Sequence, residues 1–286
     1  MSYLDHIKRC NTFTVKKYLP FTIEGEQLGW TKLSFIEHIK AYDCVFEIDD
    51  KLLTFRPDLN TVEKRSKAIA HILQELHLKG VIDSWVNELY SISNNFSEPA
   101  HLLMERAAVS YFGVRGYGVH INGLVQKSDG LYVWIARRTK DKPFWPGKLD
   151  QIVAGGQPAG IGLIENVIKE SAEEADIPDS IACKAELMSE IHYCGENSRG
   201  MNIDTLFNYD LWLPEDFIPH NTDGEVEEFM LMPLEKVAWL TDNTDEFKDN
   251  CNLVNIDLLL RLGFITKSHP DYSEITECLY APAKLI

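Results

Sequence analysis

Basic residues are scarce in this chain: 28 Lys and Arg stand against 44 Asp and Glu, a formal charge of −16. A phosphate backbone or an anionic bilayer would repel such a surface, which argues against nucleic-acid and membrane partners. A small phosphorylated ligand is still admissible, because a metal and a few local cations can hold it. Long apolar runs are missing, and no stretch approaches a transmembrane span. The first residues carry Asp5, Lys8 and Arg9 and lack the apolar centre of a signal peptide, so a cytoplasmic location is expected. The six cysteines (Cys10, Cys44, Cys183, Cys194, Cys251 and Cys278) form neither CxxC nor a zinc spacing, so they read as reduced thiols without a catalytic role. The nine histidines are also scattered, and His120 and His192, in strand-like segments, read as structural residues. Internal repeats and low-complexity tracts are absent.

What is present is 286 residues, 45% hydrophobic and 25% charged, enough for one large or two modest domains with real cores. The most informative stretch runs from Gly155-Gly156-Gln157-Pro158-Ala159-Gly160 into Lys169-Glu170-Ser171-Ala172-Glu173-Glu174. Ile164, Val167, Ile168, Ser171 or Ala172, and Ala175 recur at helical spacing, with Asp176 able to take the left-handed cap conformation behind them. Glu170, Glu173 and Glu174 stand at i, i+3 and i+4 and share a helical face. Like charges that close call for a cation, and a hard divalent ion with oxygen ligands, Mg²⁺ or Mn²⁺, suits them. Gly155 and Gly156 allow backbone to approach a ligand or metal closely.

Loop, helix, carboxylates and cap resemble the Nudix hydrolase family. Its box reads Gly, five residues, Glu, seven residues, Arg-Glu, an apolar residue, any residue, Glu-Glu, any residue, Gly, an apolar residue. Gly155, Glu170, Glu173, Glu174 and Ile177 fall in register, whereas Ile161, Lys169, Ser171 and Asp176 replace the family's Glu, Arg, apolar residue and Gly. Glu165 precedes Lys169 by one turn, and this pair is expected to replace the family's Glu–Arg contact. The flanking HINGLV, ARR and PGKLDQIVAGG segments resemble a subfamily with an additional N-terminal domain. That subfamily is related to the Nudix portion of some fungal thiamine pyrophosphokinases and to certain plant and yeast Nudix enzymes. The resemblance implies an α/β fold, a Nudix α/β/α sandwich with a mixed sheet, preceded by a small α+β domain. It also implies a diphosphatase acting on thiamine diphosphate or its oxidised analogues. The alternatives are a pyrophosphohydrolase for a nucleoside diphosphate derivative, such as ADP-ribose or a dinucleotide, and a non-catalytic Nudix ligand sensor. Isopentenyl diphosphate isomerase, another Nudix-fold enzyme, needs a Cys ahead of the box, and residues 114–155 contain none.

The resemblance assigns Glu170, Glu173, Glu174 and a Gly155 carbonyl to the metal, with Glu170 also a candidate to position or deprotonate water. A further glutamate is expected from residues 224–228, with Glu225 preferred and Glu228 the alternative; Glu170, Glu174 and Glu225 make up the expected catalytic set. Arg138 and Lys148 are candidates for phosphate contact, and Trp145 and Tyr193 for stacking on a heteroaromatic ring. The expected partner is a small-molecule diphosphate, with the oligomeric state open.

The division is expected as 1–113, an α+β unit, and 114–286, the hydrolase. In the first unit Asn60, with Glu63 behind it, is placed to cap a helix whose buried stripe is Ile69, Ile72, Leu73 and Leu76. A second helix is expected after Pro99, through Leu102, Leu103, Arg106 and Ala107. Residues 118–125, 131–136, 185–194, 204–213 and 228–232 read as strands, and 253–262 as a helix stopped by Gly263. The first unit's role is either to stabilise the hydrolase or to wall its pocket, since pockets often form between domains.

Overall fold

The computed structural model describes residues 1–142 and 144–281. A first helix, α1 (Tyr3–Cys10), is capped by Ser2 and presents Leu4, Ile7 and Cys10 on one face. Strands β1 (Tyr18–Ile23) and β2 (Glu26–Lys32) follow, then helix α2 (Leu33–Ile39), β3 (Phe46–Ile48) and β4 (Leu53–Phe55). They form a sheet of order β2-β1-β4-β3, in which β1 and β4 are parallel. Helix α3 (Val62–Leu78) lays Ile69, Ile72, Leu73 and Leu76 into the core beneath. Its cap is Thr61, whose hydroxyl accepts from the Lys64 amide at 3.2 Å, one residue later than Asn60. The segment after Pro99 is a strand rather than the expected helix: β5 (Leu89–Ile92) pairs antiparallel with β6 (Leu102–Glu105). Edge pairing overrides the helical spacing of Leu102 and Leu103, and a short helix, α4 (Val109–Phe112), comes only after it.

The second half is built on a mixed sheet. Its strands are β7 (Arg115–Lys127), β8 (Gly130–Arg138), β9 (Leu149–Gln151), β10 (Val153–Gly156), and, after helices α5 (Leu163–Ala175) and α6 (Asp179–Ala182), β11 (Glu186–Glu196), β12 (Met201–Trp212) and β13 (Val226–Pro233). The order is β11-β12-β7-β8-β13, with β10 alongside β7 and β9 alongside β8; β12 and β7 run parallel and the other pairs antiparallel. Helices α7 (Leu234–Asn243), α8 (Asp249–Arg261) and α9 (Tyr272–Leu279) close the chain.

Alternation along β7 divides two cores. Val119, Ile121 and Val125 face Val167 and Ala175 of α5, whereas Leu124 faces Leu253, Ile256 and Leu258 of α8. The result is the expected α/β/α sandwich, with α5 over one face and α1, α7, α8 and α9 over the other. Helix α1 belongs to this second core although it comes first in the chain: Leu4, Ile7 and Cys10 bury with Cys251 and Ile275. The two halves meet through backbone at an isolated bridge between Gly29 and Val114 and where the Ala159 amide donates to the Leu89 carbonyl at 2.7 Å, and within the first half the chain packs closely on itself. Gly113 takes a left-handed φ of 56°, and a Cβ there would stand 2.1 Å from the Trp30 carbonyl oxygen. Among the described residues no helix is long and apolar enough to cross a membrane.

Candidate functional site

Strand β10 ends in the glycine pair and α5 lies against it. The register sets Gly155 opposite Val119 and Gly156 opposite Gly118. Asn166 of α5 donates from Nδ2 to the Gly156 carbonyl at 2.9 Å, fixing helix to strand. The helix starts where Glu165 turns back to accept from the Gly162 amide at 2.8 Å, and stops at Asp176 with φ 54°.

Glu170 is buried under Gly155: a Cβ on that glycine would lie 2.3 Å from the Glu170 carboxyl carbon. Burial pushes the Glu170 pKa up, against the opposing pull of Lys169. One turn on, Glu174 accepts from the Ala154 amide at 2.9 Å. Burial raises its pKa well above the ordinary value, the hydrogen bond opposes this, and the charges of Glu170, Asp150 and Glu225 add to the rise. Residues 220–225 dock on the end of α5, where the His220 amide donates to the Ala175 carbonyl at 3.2 Å and Thr222 donates to the Glu173 carbonyl. This brings Asp223 and Glu225 beside Glu174, with carboxylate oxygens of all three within 4.8 Å of one another. Hard oxygen donors whose charges repel fit a divalent cation, and Glu174, Asp223 and Glu225, with Glu170 next to them, are the residues that would hold it.

A cavity of about 380 Å³ opens beside Gly155, Gly156 and Glu225. Tyr117, Phe144, Trp145 and Tyr193 give it aromatic walls, and Ser84, Val86, Tyr90 and Arg106 of the first half also line it. The N-terminal unit therefore walls the cavity. Asp204 of β12 also lines it, opposite Tyr193 in the β11–β12 register, and the Tyr193 hydroxyl accepts from Asn250 at 3.3 Å. Burial raises the Asp204 pKa, with Tyr193 and Arg115 opposing.

Several expected residues have other partners. Glu173, expected on the metal, is half exposed and pairs with Lys169 at 2.7 Å, because their i,i+4 spacing turns both outward. Lys169 also reaches Glu170 at 3.1 Å, so the expected Glu165–Lys169 contact does not form; Glu165 is consumed by the helix cap. Lys148 is not in the cavity wall, since Asp245 holds it at 3.1 Å. Arg138 borders the cavity but its guanidinium is committed, to Asp150 at 3.1 Å and to the Trp145 and Phe144 carbonyls at 3.1 and 3.0 Å. It shapes the 144–145 turn and offers no free fork to phosphate. Glu228 pairs with Arg137 at 2.9 Å, leaving Glu225, ion-paired with Lys142, as the glutamate at the site. Trp145 and Tyr193 both line the cavity.

Asp223, Asp204, Tyr90 and Arg106 carry no site role in the sequence. Asp223-Gly224 carries a turn signal next to Glu225, which points to Asp223; the other residues have no local signature.

Comparison with known proteins covers nearly the whole chain. Residues 2–116 match a family described as a domain of unknown function, DUF4743. "Nudix hydrolase 24, chloroplastic" of Arabidopsis thaliana is 38% identical over 277 residues, 96% of this chain and 76% of the relative. "Nudix hydrolase 20, chloroplastic" of the same plant is 38% identical over 288 residues, 97% of this chain and 77% of the relative. "Uncharacterized protein YJR142W" of Saccharomyces cerevisiae is 32% identical over 281 residues, 90% of this chain and 81% of that protein. The similarity takes in both the glycine strand with its carboxylate helix and the unit that walls the cavity, and on that extent of identity the chain belongs to the Nudix hydrolase family.

Proposed function

We propose that this enzyme hydrolyses a diphosphate linked to a small heteroaromatic group, with thiamine diphosphate or its oxidised analogues as substrate and the monophosphate plus phosphate as products. The observation that carries the reading is the carboxylate cluster of Glu174, Asp223 and Glu225, of which Glu225 lines a cavity that Tyr117, Trp145 and Tyr193 also line. In this reading a flat ring packs on Trp145 and Tyr193, which both line the cavity, with the diphosphate directed to the carboxylates. The thiamine assignment itself rests on the subfamily resemblance.

A divalent ion, Mg²⁺ or Mn²⁺, bound at the cluster supplies positive charge against the phosphate oxygens. Glu170 is the proposed base: burial holds its carboxyl above the ordinary range, closer to working pH, and Gly155 fixes its place. The water's proton passes to Glu170, its oxygen bonds to phosphorus, and the bridging P–O bond breaks to release the monophosphate. Glu225 is committed to Lys142 and serves orientation and charge. Asp204, beside Tyr193 and Asn250, offers one partly buried polar group through which related rings can be told apart.

The test is kcat/KM with Mg²⁺ for thiamine diphosphate, oxothiamine diphosphate, oxythiamine diphosphate, ADP-ribose and NADH. The oxidised thiamine compounds should be turned over best. If ADP-ribose or NADH outruns all the thiamine compounds, the substrate assignment is wrong and the family assignment stands.

A further inference from the structure

We infer that the N-terminal unit completes the active site by supplying Arg106 as the cation that takes the substrate's phosphate. The inference rests on the reading of the site as one for diphosphates. It starts from contact between the units. The Ala159 amide donates to the Leu89 carbonyl of β5 at 2.7 Å, so the β5–β6 hairpin docks beside the glycine strand. A Cβ on Gly156 would stand 1.6 Å from the Tyr90 hydroxyl oxygen and 3.4 Å from the Arg106 guanidinium carbon. Arg106 lies over the Tyr90 ring, 5.8 Å from its centroid, and the field of Glu170 reaches it. It therefore stands at the carboxylate end of the cavity.

The other cations of the cavity wall are committed. Arg138 and Lys248 flank Asp150 at 3.1 and 3.3 Å. Lys142 holds Glu225. Arg199 binds Asp83 at 2.7 Å and Ser84 at 2.9 Å and stacks on Phe144 at 4.2 Å. Arg106 donates from Nη1 to Glu88 at 3.0 Å, and among the described residues its other N–H groups have no hydrogen-bond partner. Its side chain is 47% exposed, so these donors are open to a ligand. A guanidinium with free donors matches phosphate oxygens in the bidentate geometry that a lysine cannot reproduce. The acidic cluster repels phosphate unless a metal is bound, so a fixed cation supplied by the first half gives the anion a second attachment.

The test is isothermal titration of the full chain with inorganic pyrophosphate in Mg²⁺, together with KM and kcat for the best substrate of the panel above. Arg106→Ala and Arg106→Gln should weaken pyrophosphate binding by about 30-fold or more and raise KM, with the melting temperature unchanged. Arg106→Lys should restore part of the loss. Glu88→Gln separates ligand binding from the salt bridge: it removes that bridge and should leave pyrophosphate affinity within about threefold of wild type, which a merely structural role for Arg106 would not allow. Wild-type affinity in a folded Arg106→Ala protein overturns the inference, as does equal weakening by Glu88→Gln or a wild-type protein that binds no pyrophosphate. Failure of the functional reading is seen separately, as wild-type protein that hydrolyses none of the diphosphates.

Discussion

Gly155 and Glu170 are in contact: the strand glycine leaves the space in which the helix carboxylate lies, and a Cβ would enter it at 2.3 Å from the carboxyl carbon. The glycine's purpose here is room, since its φ is not among the left-handed ones. Gly155→Ala should therefore displace Glu170 and lower kcat by about 100-fold, the scale of an ångström-sized misplacement. Circular dichroism should show a folded protein. Undiminished kcat in that variant would mean that Glu170 does not act from this position.

Glu174 sits among like charges, and a bound divalent ion should relieve them. Mg²⁺ or Mn²⁺ should raise the melting temperature of the wild type, because an ion that binds only the folded chain stabilises it by mass action. Glu174→Gln should abolish that rise and reduce kcat by about 100-fold or more. Glu173→Gln, changing an exposed side chain held by Lys169, should do far less. Equal losses from the two variants would place the metal on the helix's outer edge instead.

His120 and Asp150 set the acid limb of stability. Burial, with Lys248 adding, lowers the His120 pKa from 6.5 to about 4 against the pull of Asp150 and Gln151. Between those values the unfolded chain binds a proton that the folded chain does not, so stability falls as pH drops from 6.5 towards 4. The loss is about 3 kcal/mol by linkage. Asp150 extends the trend: burial would raise its pKa, but Lys248, His120 and Arg138 bring it down to about 2, so its stabilising effect, present above the ordinary value of 3.8, disappears as pH falls through 2. Urea unfolding at stepped pH should show the first window, and His120→Gln should flatten it. An unchanged slope in that variant would assign the window to another group.

Glu165 and Lys169 act separately. Glu165→Gln should weaken the α5 cap by about 1 kcal/mol, and Lys169→Met should change the charge balance at Glu170 and Glu173. A double-mutant cycle on stability should be additive within about 0.5 kcal/mol. A larger coupling energy would restore the pair that the sequence spacing suggests.

Much of this was legible locally. The period of Val167, Ile168 and Ala175 fixed helix α5, Asp176 its end, and the apolar residues of 118–125 a strand. Such patterns are readable because helix and strand geometry assigns each residue a face from its neighbours alone. The same logic misread residues 102–105, where an antiparallel partner at residues 89–92 decided for strand.

The choice of partners for the charges was not local. The sequence by itself determined that acidic residues line one helix and that a glycine strand precedes it. Only the tertiary structure decided that Glu170 turns under Gly155 while Glu173 turns out to Lys169, and that Arg138 and Lys148 are taken by Asp150 and Asp245. It alone brought Tyr90 and Arg106 to Gly156 from a hairpin far upstream. The reason is physical: backbone periodicity repeats within a few residues, whereas an ion pair or a close approach depends on where separate elements pack, and that is fixed by the two cores together.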